Sequence, residues 1–210
     1  MTSILDVLTN PDQFFEKRMA KDINLKIPAA IILVVGLVGA ASAFIMLQKV
    51  MAGLPEEAAS FAWIGGIVGA FSAIVVAFIQ WLLYAGIFYL ISSAFSGKGP
   101  FKRVLEFVAY GFIPTTVGSL ISLVAMIQAL PAIEFSIDNP ELLQEMILSN
   151  PLIQASAIIG IIFTVWSANI WIFALIHARN LSSKNALLTV GIPIGLFIAY
   201  SVYNLIGAMT

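Results

Sequence analysis

Glu106 is the only carboxylate close to a long apolar stretch, and Arg103 stands three residues before it. His177, the single histidine, and Arg179 close another such stretch. A carboxylate at a membrane mouth could act as a general acid or base. Hydrolysis would also need a second acid, a metal, or a serine paired with a base. No HExxH motif occurs, and one histidine cannot assemble a metal centre. The chain has no cysteine, which excludes disulfides and thiolate metal sites. His177 and Arg179 suit the negative end of a helix dipole, which accounts for them without chemistry; the alternative for His177 is a pH-sensitive contact. No catalytic, cofactor or metal site is expected. The polar residues deep in the apolar stretches are neutral: Gln80, Thr164, Asn169 and Asn204. A neutral amide in lipid ordinarily makes a helix–helix hydrogen bond worth ~0.6–2 kcal/mol. The competing reading is a solute path lined by these groups.

The elements that must position these residues are five apolar runs, at 27–48, 61–91, 107–130, 152–176 and 186–207. Residues are 60% hydrophobic and 10% charged, against about 25% charged in soluble domains. The bilayer is therefore the solvent. The expected fold is all-α: a polytopic bundle of five transmembrane helices over 27–210, preceded by an amphipathic segment at 1–26. Nine of ten Lys and Arg residues fall on one side of the runs. They are Lys17, Arg18, Lys21 and Lys26 before the first run, Lys98, Lys102 and Arg103 after the second, and Arg179 and Lys184 after the fourth. The opposite loops carry Glu56, Glu57, Glu134, Asp138, Glu141 and Glu145, and only Lys49 breaks the pattern. Positive charge marks the inside. The expected placement is a cell membrane, with the N-terminus cytoplasmic and the C-terminus outside. A net charge of −1 excludes a globally basic nucleic-acid binder.

Asn10-Pro11-Asp12 reads as a helix start: Asn caps, Pro fits the first position, and Asp suits the positive end. Phe14, Phe15, Met19 and Ile23 then form an apolar stripe flanked by Lys17, Arg18 and Lys21. The stripe predicts a helix lying in the membrane interface or packed on the bundle. Ala41-Ser42-Ala43 mimics a signal-peptide cleavage site, but apolar residues continue beyond it, so cleavage is not expected. Gly36/Ala40, Gly65/Gly69 and Gly191/Gly195 give small faces for close helix approach. Gly111 and Pro114 predict a break near the start of the third run, and Pro193 predicts a bend in the fifth. Asn139-Pro140-Glu141 predicts a short amphipathic helix on the outer surface.

Three segments together carry a family resemblance: Leu5 to Phe15 (LDVLTNPDQFF), Gly97 to Phe101 (GKGPF) and Tyr110 to Pro114 (YGFIP). With five spans and an inside N-terminus, the chain resembles the Yip-one domain family, small five-span membrane proteins named for interaction with Ypt/Rab GTPases. It looks like a compact prokaryotic, archaeal-type member. Eukaryotic members have a longer cytosolic tail and an Asp-Leu-Tyr-Gly-Pro motif that this sequence lacks. The resemblance therefore does not bring GTPase binding over to this chain. It implies an integral membrane protein acting through lipid and protein contacts.

The leading expectation is a non-enzymatic scaffold or adaptor. Its cytoplasmic working surface would comprise Phe14, Phe15, Lys17, Arg18, Lys21, Lys98, Phe101, Lys102, Arg103, Arg179 and Lys184. Its partners would be anionic headgroups, a membrane protein, or a second copy. The alternative is a small transporter or channel lined by Gln80, Thr164, Asn169 and Asn204 between helices kinked at Gly111, Pro114 and Pro193.

Overall fold

The computed structural model describes residues 4–133 and 140–209. It is helical, with no strand among the described residues. The chain runs α1 (Asp6–Thr9), α2 (Pro11–Met19), α3 (Lys26–Ala52), α4 (Glu56–Ala94), α5 (Phe101–Val108), α6 (Phe112–Ala129), α7 (Pro140–Ser149), α8 (Pro151–Arg179) and α9 (Ser183–Met209). Five helices are long and apolar enough to cross a membrane: Lys26–Ala52, Trp63–Ala94, Phe101–Ala132, Pro151–Arg179 and Ser183–Gly207. The second spans 32 residues, about 48 Å at ~1.5 Å per residue, so it overruns the ~30 Å hydrocarbon core.

Asn-Pro pairs start two of these helices. The Asn10 side chain accepts from Gln13 N (3.3 Å) with Pro11 at the first position of α2. The Asn150 side chain accepts from Leu152 N (3.0 Å) with Pro151 opening α8. The predicted outer helix is α7; Asn139, its expected cap, lies outside the described residues. α8 ends at Asn180, whose φ of 52° is the left-handed conformation common after a helix C-terminus.

Close packing confirms one of the three small faces. A Cβ at Gly36 would lie 2.8 Å from the Ile74 Cα, so this glycine lets α3 and α4 touch along their backbones. Close packing at Gly65/Gly69 and Gly191/Gly195 is not found: a Cβ at any of the four would meet nothing within 4 Å. These glycines point away from their own bundle, and spacing alone cannot tell the two situations apart.

The predicted break is present. α5 stops at Val108, a 3-10 turn occupies Ala109–Gly111, and α6 begins at Phe112 with Pro114 in its first turn. In hydrocarbon such a break needs donors for its carbonyls. Two indoles supply them: Trp81 Nε1 donates to Leu105 O and Trp171 Nε1 to Val108 O, each at 2.8 Å. A Cβ at Gly111 would overlap the Trp171 indole, so this glycine clears space for the ring. α9 continues through Pro193, which leaves the Thr189 carbonyl without its usual intrahelical donor.

The main core lies toward the basic end. Trp171 sits among Tyr84, Phe88 and Phe112, with ring centroids at 5.1, 5.6 and 5.4 Å. Beneath this layer Phe15 packs on Phe107 (4.8 Å) and Phe14 on Tyr110 (5.0 Å). α2 is thereby folded against α5, with its aromatic pair inside the protein.

Candidate functional site: a basic cap and a polar cavity

The cations at the basic end divide by type. Lys17, Lys21, Lys26, Lys98, Lys102 and Lys184 are all exposed. The three arginines of the chain turn inward: Arg103 and Arg179 are buried and Arg18 is half-buried. The planar, weakly hydrated guanidinium tolerates burial where the compact ammonium stays in water. Phe14 and Phe15 are buried as well, and Phe101 is half-buried. Of the eleven residues expected to form one working surface, Phe14, Phe15, Arg103 and Arg179 are therefore unavailable to a partner; the exposed remainder is lysine. Sequence pattern placed all of them at one end but could not say which pointed outward.

Glu106 organises the first internal cluster. It is fully buried. Arg18 donates from Nε to Glu106 Oε1 at 2.8 Å and also from Nη2. Arg103 Nη1 reaches Oε2 at 2.7 Å, and the Asn24 backbone N–H donates to Oε1 at 3.3 Å. Arg103 Nη2 also donates to Lys21 O at 2.8 Å. One carboxylate thus ties α2 and the Lys21–Asn24 connector to α5. A second tie joins α2 to the end of α8, where His177 Nε2 lies 2.7 Å from Asp12 Oδ1. Glu106 is held as a structural clamp, and Arg103, its neighbour three residues earlier, is half of it.

Arg179 organises the second cluster and has no carboxylate partner among the described residues. Its Nε donates to Ser92 Oγ and its Nη2 to Ser93 Oγ, each at 2.9 Å, while Nη1 donates to Gly99 O. The guanidinium lies over the Tyr89 ring, 4.2 Å from its centroid. It stands where α4 and α8 both end, so two negative helix termini replace the missing anion. The connector between α4 and α5 is moulded on it: Lys98 N donates to Arg179 O at 2.7 Å. A Cβ at Gly97 would sit 2.8 Å from Ser92 O and 3.1 Å from Arg179 Nε. Gly99 has φ +131° and abuts Ala178 O. The GKGP connector is thus a socket for a buried arginine, a pairing of residues 80 positions apart that sequence alone does not reveal.

Above the Trp171 layer a cavity of about 380 Å³ opens between α4, α6, α8 and α9. Gln80, Tyr84, Thr116, Ser119, Thr164 and Ser201 supply much of its polar lining. A second cavity of about 430 Å³, between α3, α4 and α6, shares Gln80 and Ser119 with it. Of the four predicted intramembrane polar residues, Gln80 and Thr164 line the first cavity, and Asn169 and Asn204 do not. Asn204 is exposed and donates to Tyr200 O within its own helix (2.8 Å). Asn169 is exposed, and no interhelical bond from it is found among the described residues.

Helices long and apolar enough to span, broken backbone capped by indoles, and cations gathered with one exception at one folded end define a multi-pass helical membrane protein. The family model of the Yip1 domain matches residues 5–203, and the chain belongs to that family. It is similar to an uncharacterized protein of the archaeon Methanocaldococcus jannaschii, 36% identical over 123 residues, which cover 59% of this chain and 87% of that protein. No solved structure matches. The three segments that carried the resemblance now have physical roles: the first opens α2 and supplies its Asp12 tie to His177 and its buried Phe14–Phe15 pair, the second is the Arg179 socket, and the third forms the turn at the helix break against which Trp171 packs.

Proposed function

We propose that this protein is a non-enzymatic membrane scaffold whose cytoplasmic cap presents a ring of lysines to anionic headgroups and membrane partners. The observation that carries this reading is the division of cations: six lysines exposed around an end whose arginines and aromatic residues are locked inside. The folded cap fixes the backbone that carries the lysines, so contact costs only the ordering of their side chains. Each lysine near an anionic surface contributes about 1 kcal/mol. Exposed Met19, Ile23 and Ile27 alternate with Lys17, Lys21 and Lys26, which suits insertion at the headgroup level. The test is retention of phosphatidylglycerol against phosphatidylcholine on the purified protein, read by native mass spectrometry. Replacing the six lysines by glutamine should lower phosphatidylglycerol retention at least tenfold and leave phosphatidylcholine unchanged. Equal retention by wild type and variant removes the reading.

The polar cavity favours a second reading, a small transporter or channel. Two of its four expected lining residues are present there. Uptake of neutral solutes into proteoliposomes tests it.

A further inference from the structure

The cavity between α4, α6, α8 and α9 has a consistent chemistry. Among the described residues its lining contains no Asp, Glu, Lys, Arg or His. Gln80 lies 14 residues from the basic end of α4 and Thr164 lies 15 from that of α8, which places both about 21–23 Å along their helices, well inside the hydrocarbon. Four of the lining hydroxyls already have their hydrogens committed. Thr116 donates to Phe112 O (2.7 Å), and Ser119 to Thr115 O, Thr164 to Gly160 O and Ser201 to Phe197 O (each 2.9 Å). Every one of these bonds stays within its own helix. A hydroxyl whose proton is used this way still has lone pairs to offer. These four oxygens therefore accept hydrogen bonds, while the Gln80 carboxamide and the Tyr84 and Ser122 hydroxyls can also donate. Ser167, between Thr164 and Trp171 on the same helix, is the one buried side-chain oxygen left unpartnered among the described residues. Trp171 and Phe112 line the cavity as well, and with Tyr84 they form the aromatic layer against its basic side.

We infer that this cavity binds a neutral polyol group, one carrying adjacent hydroxyls that donate to the Thr116, Ser119, Thr164 and Ser201 oxygens. A volume of about 380 Å³ falls at the small end of ligand-sized pockets. A bare cation would need six or more oxygens converging at about 2.3–2.6 Å, whereas these acceptors are spread over three helices around an open space. The polyol has two sources, a free polyol or the glycerol headgroup of a neutral lipid. The inference uses the cavity of the transport reading but requires no passage, so binding without uptake sustains it while removing that reading.

The natural absence of cysteine gives a direct assay. Ala157→Cys places a single thiol in the wall without removing any of the four acceptors, and its reaction with a small methanethiosulfonate is followed in nanodiscs. Glycerol and monooleoylglycerol, whose headgroup keeps two adjacent hydroxyls, are the two probes; sodium chloride against choline chloride is the ionic control. Saturable slowing by at least fivefold with glycerol assigns a free polyol, and slowing with monooleoylglycerol alone assigns the lipid headgroup. Gly160 lines the cavity, and a Cβ there meets nothing within 4 Å. Gly160→Leu on the same background should abolish the protection by filling the space. Gly191→Leu adds the same side chain at an exposed position outside the cavity and should leave protection intact. Protection by neither probe, equal protection by sodium, or protection that survives Gly160→Leu overturns the inference.

Discussion

Glu106→Gln should free the N-terminal helix while leaving the spans assembled. Glutamine has the shape of glutamate but removes the charge and turns one oxygen into a donor. Both carboxylate oxygens are used here, one by Arg18 and Asn24 N and the other by Arg103. After substitution two guanidiniums share one neutral acceptor, and at least one faces an N–H. Removing one partner from a buried ion pair costs about 3–5 kcal/mol. Arg18 and Arg103 keep 17% and 10% side-chain exposure, so water offsets part of that cost and the lower figure applies. About 3 kcal/mol corresponds to roughly a hundredfold in the opening equilibrium. Trypsin cleavage after Lys17, Arg18 or Lys21 reads this equilibrium when reclosing is fast. We expect cleavage about a hundredfold faster than wild type, with an unchanged helical circular dichroism spectrum. Asp12→Asn removes only the tie to His177, from a carboxylate that is 62% exposed. It should cost no more than about 1 kcal/mol, or roughly fivefold. The apolar triple Arg18→Met, Arg103→Met, Glu106→Leu should restore most of the protection, because a buried ion cluster contributes little beyond an apolar replacement. Glu106→Gln cleaved within twofold of wild type would refute the clamp. A triple variant as open as the single would refute the account of its energetics.

Gly99→Ala meets both a positive φ and the Ala178 carbonyl, so it should destabilise by at least about 1–3 kcal/mol. Gly65→Ala, with nothing near its Cβ, should be neutral or stabilising by up to ~1 kcal/mol through helix propensity; thermal unfolding in detergent compares the two. Trp171→Phe leaves the Val108 carbonyl without its indole donor and should cost about 1–3 kcal/mol. The same melting curves check it, with Trp166→Phe, a half-exposed indole on the outer face of α8, as the variant expected to change little. Arg179→Lys should lose the fork that holds Ser92, Ser93 and Gly99 together, exposing the connector at 95–100 to faster hydrogen exchange than in wild type.

Five apolar runs, their lengths and their one-sided lysines and arginines determined the spans, because hydrocarbon accepts few folds and penalises charge wherever it stands. Asn10-Pro11 and Gly111-Pro114 were legible as a helix start and a helix break because those effects are local to the backbone. Tertiary structure decided which cations are available. Arg18, Arg103 and Arg179 share their segments with lysines, and only the positions of Glu106, Ser92 and two helix ends draw the arginines inward. It also decided that Gln80 and Thr164 share a cavity while Asn169 and Asn204 do not. Small faces at Gly36 and Gly191 look alike along the chain, yet one meets α4 and the other meets nothing nearby. In each case the deciding quantity is the direction of a side chain relative to distant helices. In a span apolar on every side, no hydrophobic periodicity records that direction.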